Sequence, residues 1–386
     1  MIISNLDVAH SHNGRSVFAQ VEWEDNGFPP QTLYFEHTGA QLTSDTPSPE
    51  AFLVACFPVA TAHSEARIRI DAAPSAMLVD GLQTVHALWS EWGGVPATPP
   101  TIETSGRPMR QGRIRRKRGV VSLSGGVDGL HTLMRNHRMY RRNDPAYIQA
   151  GLVIHGFDLG KRARNPEEDR WGVALGLIRS VASEAGIDII TCRTNLRHLP
   201  EKPGFWTYRQ NAAALVAAAY ASVPFPAYFY IASTYQLAHM IPMGSHAALD
   251  IHYSDERLTV LHDGARFTRL EKIRQLANWP KAIASLRVCP GTIGLQPNCK
   301  RCEKCLRTRL ELLAAGIDET PTLGPSLTSI EEWEAIPPTI GHRAFMYEEL
   351  LEPLRARGLH QLCAILEQRI DAYKSWAALG APWPIH

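Results

Sequence analysis

Short apolar runs alternate along most of this chain with longer stretches in which apolar residues recur every three or four positions. Val120-Val121-Ser122-Leu123 is followed by Leu130, Leu133 and Met134, and Leu152-Val153-Ile154 by Trp171, Leu175, Ile178 and Val181. Ile187-Asp188-Ile189-Ile190 precedes an alanine-rich stretch at 211–222, and Tyr228-Phe229-Tyr230-Ile231 closes the series. The short runs suit strands buried on both faces, and the helical repeats suit helices laid over them. The expectation is an α/β domain over 119–320 with a parallel, doubly wound sheet, its ligands lying beyond the strand C-termini.

The flanks read differently. Residues 1–95 predict a separate, mostly β domain, with strands over 16–23, 32–36 and 66–71 and helices over 48–60 and 75–92. A Pro/Gly/Arg linker follows over 96–118, with six arginines and one lysine between Arg107 and Arg118. A polyanion would favour such an arm, but it lacks interleaved aromatic residues for stacking on bases, so nucleic acid ranks behind small molecules as a partner. The C-terminal region, 321–386, predicts helices over 342–357 and 361–376, with Leu350, Leu354, Leu362, Ile365 and Ile370 on one face that packs on the core or a partner such as a second copy of the chain.

Composition adds bounds. A chain of 386 residues that is 45% hydrophobic has material for more than one core, and a net charge of +2 gives no global pull toward polyanions. No run reaches the length of a membrane span and the N-terminus has no secretory pattern, so a cytoplasmic protein without a membrane partner is expected.

Chemistry concentrates in three places. Ser122-Leu123-Ser124-Gly125-Gly126-Val127-Asp128-Gly129 joins a strand to a helix. Its glycines let backbone N–H groups approach phosphate oxygens, the helix N-terminus adds partial positive charge, and Asp128 is placed to hold a magnesium ion. The Walker pattern is absent. Residues 242–272 form a polar stretch dense in functional groups, among them His246, Asp250, His252, Asp255, His262 and Asp263, and read as a substrate pocket or lid. Cys289, Cys299, Cys302 and Cys305 offer four thiolates for tetrahedral zinc; an iron–sulfur cluster would use the same ligands.

The Ser-Gly-Gly-Val-Asp stretch resembles the loop of the PP-loop ATP pyrophosphatases, with Gly129 where that family usually has Ser. The resemblance implies that ATP binds over Ser122 to Gly129, that Phe157 and Asp158 after the second strand contact adenine or ribose, and that Arg269 or Lys272 of Thr-Arg-Leu-Glu-Lys, both candidates, neutralises pyrophosphate. With the four cysteines downstream, residues 119–312 are similar to the 7-cyano-7-deazaguanine synthases. That implies an ATP-dependent, AMP-forming ligase that adenylates the carboxylate or amide of a small acid or deazapurine with Mg2+ and structural Zn2+, and with ammonia, an amine or a protein terminus as acceptor. Two other readings stand beside it. One is sulfur transfer, for which Cys192 is the strand-end thiol; the other is a nucleotide-binding subunit without catalysis.

Overall fold

The computed structural model describes residues 1–11, 14–38, 47–106, 117–159, 171–223, 225–289, 296–326, 330–334 and 341–378. Most of the basic stretch, 107–116, lies outside them.

The chain opens with an antiparallel meander, β1 (Ile2–Ser11), β2 (Gly14–Glu22) and β3 (Gln31–Thr38). Val17, Ala19 and Val21 alternate inward along β2, as the period-two pattern requires. Helix α1 (Pro49–Ala62), β4 (Arg67–Ile70), α2 (Ala76–Trp92) and β5 (Thr101–Thr104) follow. The stretch expected to be linker thus contains an edge strand, β5, lying parallel beside β4. Its Thr-Ile-Glu-Thr is too short and polar to stand out from the sequence.

The second half alternates as anticipated: β6 (Arg118–Ser122), α3 (Val127–Met139), β7 (Ile148–His155), α4 (Trp171–Ala185), β8 (Asp188–Thr194), α5 (Asn211–Ser222), β9 (Ala227–Ala232) and β10 (Leu258–Asp263). These strands are mutually parallel in the order β10-β9-β6-β7-β8. The sheet grows outward from β6 in one direction, then in the other, so a switch point lies between β6 and β9. Strand β10 lies inside the polar stretch that the sequence suggested was loop. Leu258 and Val260 are buried, but Thr259, His262 and Asp263 dilute the pattern.

A boundary near residue 95 would separate two units, yet the sheet crosses it. Strand β3 pairs antiparallel with β8, Phe35 opposite Thr194 and His37 opposite Cys192, giving one ten-stranded sheet. Helix α1, apolar all round and buried from Ala51 to Thr61, packs against α5 on one face. The opposite face is covered by α3 and α4, with α6 (Arg269–Leu276) and α7 (Pro280–Ala284) packing into the same core. Helices α8 (Glu303–Ala314), α9 (Ile330–Glu334), α10 (Ala344–Ala356) and α11 (His360–Ala378) follow among the described residues. Leu350, Leu354, Leu362 and Ile370, with Ile365 partly buried beside them, pack on Leu270, Leu306 and Leu310 of α6 and α8, so the C-terminal apolar face meets the core. No helix among the described residues is long and apolar enough to cross a membrane.

Candidate nucleotide site and metal centre

Strand β6 ends where its last backbone bond, Leu123 N–H to the Leu152 carbonyl (2.9 Å), ties it to β7. The chain then turns through Gly125 at φ +79°, a conformation that favours glycine. Arg287 fixes the turn from across the site. Its backbone N–H donates to the Gly125 carbonyl (2.9 Å) and its guanidinium to the Ser124 carbonyl (3.3 Å). Gly126 caps α3, whose first-turn N–H groups have no intrahelical acceptor and point toward the strand end.

Gly129 allows a close approach. A Cβ there would stand 3.1 Å from the Ser122 carbonyl oxygen, tighter than ordinary contact. The first turn of α3 therefore lies nearer the end of β6 than a side chain would comfortably allow.

Asp128, Arg269 and Lys272 come together although more than a hundred residues separate the acid from the cations. Arg269 Nη1 donates to Asp128 Oδ2 (2.5 Å) and Lys272 Nζ to Asp128 Oδ1 (3.1 Å). Lys272 also donates to the Ser233 carbonyl at the end of β9. Burial pushes the Asp128 carboxyl up, but the charges of Arg269 and Lys272 outweigh it and hold the carboxyl below its usual range. Arg269 passes the charge on to Glu311 (3.3 Å), which accepts from Arg307 (2.7 Å); Arg307 donates in turn to Glu303 (2.7 Å).

These groups border a cavity of about 510 Å³ at the C-terminal ends of β6, β7, β9 and β10, spanning the switch point. Among the described residues, Arg269, Arg287, Lys304, Arg307 and Arg343 line it against Asp128 and Asp158 as acids, so it favours an anionic occupant. Phe157 and Asp158 lie on this wall, just past the end of β7. The Phe157 ring stands 5.0 Å from Trp206, over which Arg197 stacks at 4.0 Å. Trp206 opens a π-helical turn, Trp206–Gln210, an arrangement frequent at functional sites. Trp206, Asn211, Tyr235, Arg287 and Arg343 do not stand out in the sequence because none sits in a motif, and Arg307, two residues past the last cysteine of the cluster, faces this cavity as well.

The polar stretch contributes a second cluster. Asp250, fully buried, accepts from Ser245 Oγ (2.8 Å), the His246 backbone N–H (3.1 Å) and His262 Nδ1 (2.8 Å). Ser245 and His262 line the cavity. Asp263 instead braces α3, accepting from Thr132 Oγ1 (2.9 Å) and Arg135.

The four cysteine sulfurs lie within 4.8 Å of one another. Cys289 and Cys302 are 3.7 Å apart, and Cys299 and Cys305 3.8 Å. A tetrahedron of thiolates about 2.3 Å from zinc has edges near 3.8 Å, so these donors fit that ion. Lys300 at φ +63° makes the turn, and the Cys302 N–H donates to Cys299 Sγ (3.2 Å). Buried Asn298 binds both strands of the knuckle: it accepts from the Val288 and Cys289 N–H groups and donates to the Leu286 and Thr322 carbonyls. Cys302 caps α8 and Cys305 lies within it, so a metal here would anchor the helix that carries Arg307 and Glu311. Four protein donors leave no open position for chemistry. Cys192 is 1% exposed, within the core that α1 and α5 share, and burial pushes its thiol up to about 12.

Comparison of the chain with protein-family models, curated proteins and solved structures finds no match.

Proposed function

We propose that this protein is an ATP-dependent ligase that forms AMP and pyrophosphate. ATP would lie along Ser122 to Gly129, with its phosphates at the N-terminus of α3 and its base toward Phe157 and Asp158. A substrate carboxylate would attack the α-phosphorus, and ammonia or an amine would displace AMP to form a C–N bond. The observation that carries this reading is the convergence of Asp128, Arg269 and Lys272 behind the glycine turn, in a cavity whose charged lining is mainly cationic.

Both oxygens of Asp128 accept bonds from cations. Incoming phosphates would offer Arg269 and Lys272 a better-charged partner, and a turned Asp128 carboxylate would then be free to hold Mg2+ beside the glycine loop. The magnesium would neutralise phosphate charge; the protein's own groups position and shield it. Resemblance to the 7-cyano-7-deazaguanine synthases makes 7-carboxy-7-deazaguanine the first acid to test, with ammonia, a small amine or a protein N-terminus as nucleophile.

The test is to incubate the protein with ATP, Mg2+, ammonia and 7-carboxy-7-deazaguanine and separate the nucleotides chromatographically. AMP and pyrophosphate in equal amounts are expected; ADP and phosphate would overturn the reading. Sulfur transfer is disfavoured because the buried Cys192 thiol is poorly placed to carry a persulfide. Cys192→Ala should therefore keep most turnover, and its loss in a folded variant would reverse that preference.

A further inference from the structure

We propose that the Asp250–His262 pair is the general base of the cavity, with His262 Nε2 taking a proton from the nitrogen nucleophile as it attacks the acyl adenylate; this rests on the ligase reading above. A carboxylate can only accept, so the 2.8 Å bond to Asp250 assigns the proton to His262 Nδ1 and leaves Nε2 with its lone pair in the neutral ring. The imidazole side chain is 6% exposed, yet Nε2 has no hydrogen-bond partner among the described residues. A buried polar atom without a partner is costly, and His37, His86 and His131 also bury such a nitrogen among the described residues, so the place of His262 is what sets it apart. Here the unsatisfied nitrogen belongs to a residue of the cavity wall, beside Ile231 on β9, which lines the same cavity.

Asp250 needs no help from His262 to be satisfied. Ser245 Oγ and the His246 N–H already bind it, so the carboxylate is fixed in place before the imidazole docks. The wall holds a second buried atom of this kind, Asn211 Oδ1, also without a partner among the described residues. The two segments are tied together, since the Gly244 N–H donates to the Thr207 carbonyl (2.9 Å) and the Ala212 N–H to the Gly244 carbonyl (3.2 Å). Two acceptors in one wall suit a nucleophile that brings N–H donors. Asn211 would orient it and His262 would deprotonate it.

The step balances without further reagents. The nitrogen lone pair forms the C–N bond, the bond from the acyl carbon to the AMP oxygen breaks, and AMP leaves with those electrons. The surplus proton passes from nitrogen to His262 Nε2, and the charge of Asp250 offsets the imidazolium. Asp250 is a positioning residue and does not itself touch the substrate.

Two half-reactions separate this claim from the one beneath it. With ATP, Mg2+ and 7-carboxy-7-deazaguanine, exchange of labelled pyrophosphate into ATP reports adenylate formation; amide formed on adding ammonia reports the second step. His262→Gln can still donate to Asp250 but is no base, and should keep exchange while losing amide formation by roughly a hundredfold, the usual scale of general-base catalysis. His262→Ala should behave alike and recover when imidazole is added. Asp250→Asn should slow the second step without imidazole rescue. Amide formation undiminished in His262→Gln overturns the proposal, as does a parallel fall of exchange and amide formation in folded His262→Gln. Absence of exchange in the wild type overturns the ligase reading, and with it this role for His262.

Discussion

At the residue scale, Asp128 is the group on which most depends. Its partners Arg269 and Lys272 are 8% and 1% exposed, so Asp128→Asn leaves two nearly buried cations short of a counter-charge. Breaking a buried pair from one side costs about 3–5 kcal/mol; Arg269 keeps Glu311 and Asp128 is partly exposed, so a loss of about 1–3 kcal/mol is expected in urea denaturation. Because the folded carboxyl lies below its unfolded range, its contribution is fully present at neutral pH and disappears as pH falls through that depressed value. The gap between wild type and Asp128→Asn should thus be wide at pH 7 and narrow in strong acid. AMP formation should fall about a hundredfold or more, the scale for losing one charge-stabilising group. Gly129→Ser is a second case. The resemblance suggests that a serine restores the loop, but the 3.1 Å approach of its Cβ to the Ser122 carbonyl requires α3 to shift. We expect a lower melting temperature and no gain in turnover, and a faster, equally stable variant would show that the helix yields easily.

At the element scale, α6 and α8 present the charged groups. Arg269 and Lys272 occupy the first turn of α6, where the helix dipole disfavours cations. The Asp128 carboxylate offsets that, and a capping box between Thr268 and Glu271 secures the helix start. Thr268→Ala should cost about 1 kcal/mol of stability. Helix α8 begins at the cysteine knuckle. Elemental analysis should find about one zinc per chain, the occupancy that four thiolates around one ion imply. Cys302→Ser or a strong chelator should loosen α8, raising hydrogen exchange along Arg307 to Glu311 and weakening the ATP binding proposed above. Unchanged exchange after complete metal removal would show that packing alone holds the helix.

At the scale of the whole molecule, the N-terminal strands and the strands under the glycine loop share one sheet, and α1 buries its entire circumference where the two halves meet. Calorimetry should therefore show one main unfolding transition. A fragment beginning at Lys117 would expose the β8 edge and the apolar face of α5, and should aggregate. Two resolved transitions, or a soluble folded fragment, would mean that the shared sheet does not enforce cooperativity.

What the sequence by itself determined is local. The alternation of buried runs and helical repeats, the strand–glycine–helix turn and the cysteine spacing are all written within a few positions, because backbone periodicity, φ preference and thiolate reach act over that range. Tertiary structure decided the rest. Asp128 lies 141 positions from Arg269 and 144 from Lys272, and nothing in either stretch names the other. The pairing of β3 with β8 uses backbone groups common to every residue; burying α1 and α5 against one continuous sheet selects it. His262 looked like one polar residue among many until β10 set it beside β9 and Asp250 fixed its ring. A charge or an unpaired nitrogen acquires its role from its surroundings, and those come together only when the chain closes on itself.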